Sequence, residues 1–141
     1  MSEINKKLTF HVESKRIDSH SSISKCKRAQ LIIDTDLSGN QEAFNPAELL
    51  LCAVSACIIK GVERVVPILQ FQIRGIEVIV DGVRQDFPPK IESITYEIFV
   101  DSDEPEHRLQ LLHENIKKYG TVFNTVAPGT DLQGSLKRRI K

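Results

Sequence analysis

The sequence contains no tryptophan, and phenylalanine and tyrosine together make up only 6% of it, so a core must be assembled from aliphatic side chains. It has no excess of either charge: 19 basic and 19 acidic residues cancel, which argues against a broad nucleic-acid surface. The one basic cluster, Lys137, Arg138, Arg139 and Lys141, reads as solubilising surface rather than a binding patch. No apolar segment follows Met1, and no stretch approaches the roughly 20 apolar residues that cross a bilayer, so neither secretion nor a membrane partner is expected. Cysteine is scarce and odd in number, three in all, which favours a reducing, cytoplasmic setting over a disulfide scaffold.

Several chemical motifs are missing too. There is no glycine loop to cradle phosphate and no Gly-x-Ser-x-Gly elbow for a serine nucleophile. His11, His20, His107 and His113 are scattered; the closest two are six apart, a spacing that sets them on different helix faces. No cysteine pair has zinc-finger spacing, so no metal or other cofactor is expected.

What is present is enough apolar content, 40%, for an ordinary core, and a length that points to a single domain over residues 1–141. The organising stretch runs from Asn45 to Ile59. Asn45 can accept a hydrogen bond from the first helical turn, Pro46 suits the first helical position, and Glu48 can reach back to the cap backbone. Leu49 to Ile59 then carries no charge, which predicts a helix over 45–66 buried on every side, with Pro67 at or just past its end.

Around this helix the periodicity predicts strands. Leu8, Phe10 and Val12 alternate with polar residues, and Cys26, Ala29, Leu31 and Ile33 suggest a second strand, with 15–24 a polar turn between them. A long strand follows over Phe71 to Val80, with a possible bulge at Gly75 and a turn or strand end at Asp81-Gly82. Ile94 to Val100 alternates cleanly as an antiparallel neighbour. Asp101 to Asp103 can cap a helix with Glu104 and Pro105 in its first turn and Leu109, Leu112, Ile116 and Tyr119 at helical spacing. A short helical turn over 122–126 and a terminal strand through Leu132, Leu136 and Ile140 complete the order β-β-α-β-β-α-β. That order describes an α+β fold with a mostly antiparallel sheet.

The only place where chemistry looks plausible is the buried helix with its two cysteines. Five apart, Cys52 and Cys57 point roughly 140° away from each other and cannot pair while the helix is intact. Taken alone, each reads as a small buried hydrophobe before it reads as a nucleophile. A functional thiol needs a nearby cation, for which Arg16, Arg28, Arg64 and Arg74 are candidates. Glu48 has a structural role as a cap residue besides any catalytic one.

Asn45-Pro46-x-Glu48-Leu49-Leu50 followed by Ser55-Ala56-Cys57 resembles the central helix of the OsmC/Ohr family, the osmotically inducible and organic hydroperoxide resistance proteins. The later stretch from Lys117 to Thr125 and the order of elements are similar as well. The resemblance implies an intertwined homodimer with thiol sites at its interface, and thiol-dependent reduction of organic hydroperoxides. In the family a first cysteine attacks the peroxide, a second resolves the sulfenic acid, and an Arg–Glu pair assists. Cys57 matches the first cysteine, whereas Gly120 stands at the position of the second and Thr121 at that of the proline after it. Ala47 occupies the position of the assisting Glu, with Glu48 directly after it, and neither Arg16 nor Arg28 aligns with the assisting Arg. The implied activity is one-cysteine reduction of a small organic hydroperoxide at Cys57 by an external thiol reductant. The alternative is a non-catalytic protein that holds a small apolar ligand at the dimer interface. Cys26 is the one cysteine outside the helix that could resolve an oxidised Cys57, but Lys25, Lys27 and Arg28 around it suggest a solvent-facing position.

Overall fold

Two cross-strand hydroxyl pairs show why the opening of the chain was hard to read. In the computed structural model, which describes residues 7–139, strand β1 (Glu13–Arg16) pairs antiparallel with β2 (Ser21–Cys26), and β2 with β3 (Ala29–Asp34). Ser14 bonds Ser24 at 2.7 Å and Ser22 bonds Thr35 at 2.8 Å. A strand stabilised by such pairs has polar composition, so the stretch 15–24, expected as a turn, contains half of β1 and most of β2. The turn itself is narrower. Asp18 accepts the N–H groups of His20 at 2.8 Å and Ser21 at 3.0 Å, and the first of these bonds is the main reason its carboxyl sits below the usual range. Lys27, in the left-handed region at φ 55°, turns the chain between β2 and β3, which corrects the single strand expected across Cys26 to Ile33. The expected strand at Leu8 to Val12 is also corrected. These residues pair with no strand among the described residues, and Leu8 and Phe10 are 84% and 82% exposed.

This first unit runs to Glu48 and the second from Leu49 onward. In the first, buried Asp34 organises the loop after β3 by accepting the N–H groups of Asp36 and Asn40, each at 3.0 Å. At its end the capping box forms as expected: Glu48 N–H donates to Asn45 Oδ1 at 2.8 Å, and Asn45 N–H to Glu48 Oε1 at 2.9 Å. Helix α1 (Pro46–Leu69) starts there.

In the second unit β4 (Gly75–Gln85) pairs antiparallel with β5 (Lys90–Asp101), and β6 (Asp131–Arg138) pairs parallel with the other edge of β5. A parallel neighbour needs a crossover, supplied by α2 (Glu106–Tyr119), α3 (Thr121–Val126) and a single 3₁₀ turn. The expected Ile140 end of the last strand lies outside the described residues. Ile94, Tyr96, Ile98 and Val100 point from β5 into a core closed by Val54, Ile58, Val62 and Val65 of α1 and Leu109, Leu112 and Ile116 of α2. This arrangement buries one face of α1 only. Cys52, Ala56 and Ile59 are exposed, so the expected burial on every side is not provided by the second unit, whose sheet and α2 cover one face only.

Three local expectations change. Pro67 lies inside α1 rather than ending it. The helix stops at Gln70, at φ 55°, where Phe71 N–H bonds Val66 O at 3.1 Å and Arg108 Nη2 caps Leu69 O at 2.7 Å. Strand β4 runs straight through Asp81-Gly82, where a β-carbon on Gly82 would lie 3.1 Å from Leu51 of α1, and the irregularity falls at Val83/Arg84, not Gly75. Finally, Asp101 and Asp103 do not cap α2 but bind Arg74 at 3.0 and 3.1 Å. The turn before α2 is held instead by buried Ser102, which donates to Gln72 O at 2.7 Å. Glu104 accepts from Gln72 N–H and Arg108 Nε, both at 2.7 Å.

Candidate functional site

Cys57, Gly61, Arg64 and Ile68 follow one another at helical spacing along one side of α1. Gly61 shows what faces that side. A β-carbon there would lie 3.4 Å from Ile116 Cγ1 of α2 and 3.6 Å from Arg64 Nη2. The absent side chain therefore lets α2 approach and lets the Arg64 guanidinium fold back over Gly61, toward the turn that carries Cys57. Long helical side chains naturally lean this way, toward the N-terminus. The Tyr119 ring, 5.9 Å from the guanidinium carbon, flanks it.

Cys57 is half-buried, and its Sγ lies 3.0 Å from the place a β-carbon would take on Gly120. That separation is the one expected between a sulfur and its partner's β-carbon in a disulfide, about 3 Å from the usual S–S bond of about 2.05 Å. Gly120 is in extended backbone, φ −76° and ψ 120°, which any residue adopts. What requires glycine is space, because a β-carbon would also meet Phe123 Cβ at 3.0 Å and Ile116 O at 3.1 Å. Asn124 pins this α2–α3 junction, with its N–H on Gly120 O at 2.9 Å and its amide on Lys118 O at 3.1 Å.

The other candidates fall elsewhere. All three cysteines are free. Cys52 is exposed on α1, and Cys26 is half-buried at the end of β2 rather than fully solvent-facing. Glu48 serves the capping box. Arg74 is held by two carboxylates, which raise its pKa, and Arg16 and Arg28 are exposed in the first unit. Of the four candidate cations, Arg64 shares the stripe of Cys57. Among the described residues no cluster of His, Cys, Asp and Glu could hold a metal, and no helix is long and apolar enough to cross a membrane.

The sequence did not reveal a second polar contact, between Tyr96 and His113. The Tyr96 hydroxyl lies 2.7 Å from His113 Nε2 beneath an edge-on ring contact. Burial pushes Tyr96 up to about 12 and pushes His113 below its usual value, so the pair is held neutral with the hydroxyl donating to the imidazole. Alternation alone makes Tyr96 one more core position, whereas His113, four residues after Leu109 and three before Ile116, sits at the helical spacing of the buried face of α2, a signal that could have found it.

A family model for OsmC-like proteins matches residues 39–134, more than half of the chain and the whole span from the loop before α1 into β6. The chain belongs to the OsmC-like protein family. Solved OsmC-like structures share its fold. An OsmC-like protein from Mycoplasma pneumoniae superposes with a TM-score of 0.86 at 14% identity, over 96% of this chain and 100% of that one. A hypothetical protein from Aquifex aeolicus gives 0.79 at 21% identity, over 96% and 99%. The organic hydroperoxide resistance protein OhrB of Bacillus subtilis gives 0.68 at 18%, over 92% and 98%. No curated protein sequence matches. Membership ties this OsmC-like chain, at the level of the family, to the OsmC/Ohr oxidative-stress proteins.

Proposed function

We propose that this OsmC-like protein is a one-cysteine, thiol-dependent peroxidase acting on small organic hydroperoxides in a reducing compartment. The observation that carries this reading is the 3.0 Å approach of Cys57 Sγ to position 120. The reactive cysteine faces the position of the family's resolving thiol, and only a glycine is there. In the reaction, the Cys57 sulfur attacks the terminal peroxide oxygen and the O–O bond breaks. The alcohol leaves after taking up a proton, and Cys57 is left as sulfenic acid. One external thiol condenses with it and releases water. A second exchanges with the mixed disulfide, freeing Cys57 and leaving the external disulfide.

Restoring the missing thiol tests the geometry. Gly120→Cys is expected to form an intramolecular disulfide with Cys57 on one equivalent of hydroperoxide, seen by non-reducing peptide mass spectrometry. The reduced variant should lose about 1–3 kcal/mol of stability from crowding against Phe123 and Ile116. No cross-link at any dose would mean that Cys57 is not oxidised or does not face position 120.

The protein is further proposed to work as a homodimer. Supporting this are the apolar side chains left uncovered in one chain: Leu8, Phe10, Val12 and Ile17 in the first unit, and Ile59 on α1. Sedimentation should give a dimer at micromolar concentration, and a stable monomer there would reject it.

A further inference from the structure

We propose that a groove along the α1–α2 seam binds an amphipathic organic acid, with its carboxylate on the Arg64 guanidinium and its alkyl chain on the apolar wall beyond. This binding requires no reaction at Cys57 and stands apart from the peroxidase reading. The groove holds about 560 Å³, within the range of small-molecule sites. Val65, Ile68 and Leu69 of α1 and Leu111 of α2 form its walls, and Ile68, 70% exposed, is too open to be core. The Asn115 amide is turned to its own helix, donating to Leu111 O at 3.0 Å.

Charge selects the occupant. No acidic side chain lines the groove, and Arg64 makes no ion pair among the described residues. Its guanidinium is held over Gly61 and beside the Tyr119 ring, at the end of the groove where α1 runs back toward Cys57. Lys118 adds a second cation 5.3 Å from the same ring, and the nearby Glu114 is taken by Lys117 at 3.7 Å. An apolar trough closed at one end by an unpaired, positioned guanidinium matches a chain with a single acid head. A neutral hydrocarbon would gain nothing from the guanidinium, which is exposed to water when the groove is empty.

The test uses the full chain carrying Cys57→Ser, so that no thiol chemistry contributes, and decanoate as the probe, kept below its aggregation range. Titration calorimetry should show saturable binding at one site per chain. Arg64→Met should weaken it about ten- to a hundredfold, the worth of a charge-assisted hydrogen bond. Arg64→Lys should recover part of it, and decanol should bind as weakly as decanoate does to Arg64→Met. Ile68→Glu, a substitution on the open rim that should leave the fold intact by circular dichroism, should abolish decanoate binding. Absence of saturable binding, or equal affinity in Arg64→Met, would overturn the proposal. So would dissociation of a dimer by Ile68→Glu, since the groove would then be a contact between copies.

Discussion

Replacing Gly134 by alanine is expected to destabilise the fold by about 3 kcal/mol or more and to lower Tm by roughly 10 °C. In β6, Gly134 lies directly across from Tyr96 of β5, and the Tyr96 ring lies flat over its backbone. A β-carbon at Gly134 would come closer than 3.0 Å to three ring carbons, a distance that real contacts do not show. The ring has nowhere to go. Tyr96 is 1% exposed, packed edge-on against Phe123 at 5.9 Å and against His113 at 5.7 Å, with its hydroxyl bonded to the latter. Accommodating even one methyl group would break that hydrogen bond or pull β6 off β5. Gly129→Ala is the matched control, because a β-carbon there meets nothing within 4 Å, and its change should stay within about 0.5 kcal/mol. Chemical denaturation of both variants reads the difference. A Gly134→Ala protein as stable as the parent would show that the Tyr96 ring is not fixed as described.

Cys57→Ser is expected to reduce hydroperoxide turnover with a dithiol reductant to the uncatalysed rate, a loss of at least about a thousandfold, as for removal of a nucleophile. Cys52→Ser and Cys26→Ser should retain turnover, because neither cysteine has a place in the one-thiol cycle. The parent should itself lose activity in excess hydroperoxide. With glycine at position 120 nothing within the site intercepts the sulfenic acid, and further oxidation to sulfinic acid is irreversible. Equal turnover in the parent and in Cys57→Ser would remove Cys57 from the chemistry and leave a binding scaffold.

Helix α1 was legible because its signals are local: an Asn-Pro-x-Glu start and an uncharged run set its beginning and its character. Strands β4 and β5 were legible in their middles because one face of each is apolar at period 2, but β4 starts at Gly75, not at the expected Phe71, and runs on to Gln85. The β1–β2 hairpin was not legible, since its stability comes from serine hydroxyls and Asp18, which composition reads as loop. The end of α1 misled for a similar reason. Proline usually stops a helix, but a left-handed Gln70 and a cap from Arg108, far along the chain, carry α1 past it. Of the site, Cys57 and Gly120 were matched through the family resemblance, and no spacing rule could have brought them together. Arg64 was one of four equivalent cations until Gly61 showed which way its side chain lies. The groove belongs to two helices at once, so neither helix's pattern contained it.

Peptide mass spectrometry of the parent protein after graded organic hydroperoxide tests the central claim most directly. At one equivalent, in the presence of a sulfenic-acid trap, the expected result is labelled Cys57 with no internal disulfide. At large excess it is a gain of two oxygens on the same peptide. An unmodified Cys57 at excess hydroperoxide would contradict the peroxidase reading, and a disulfide from Cys57 to Cys26 would contradict its one-cysteine form.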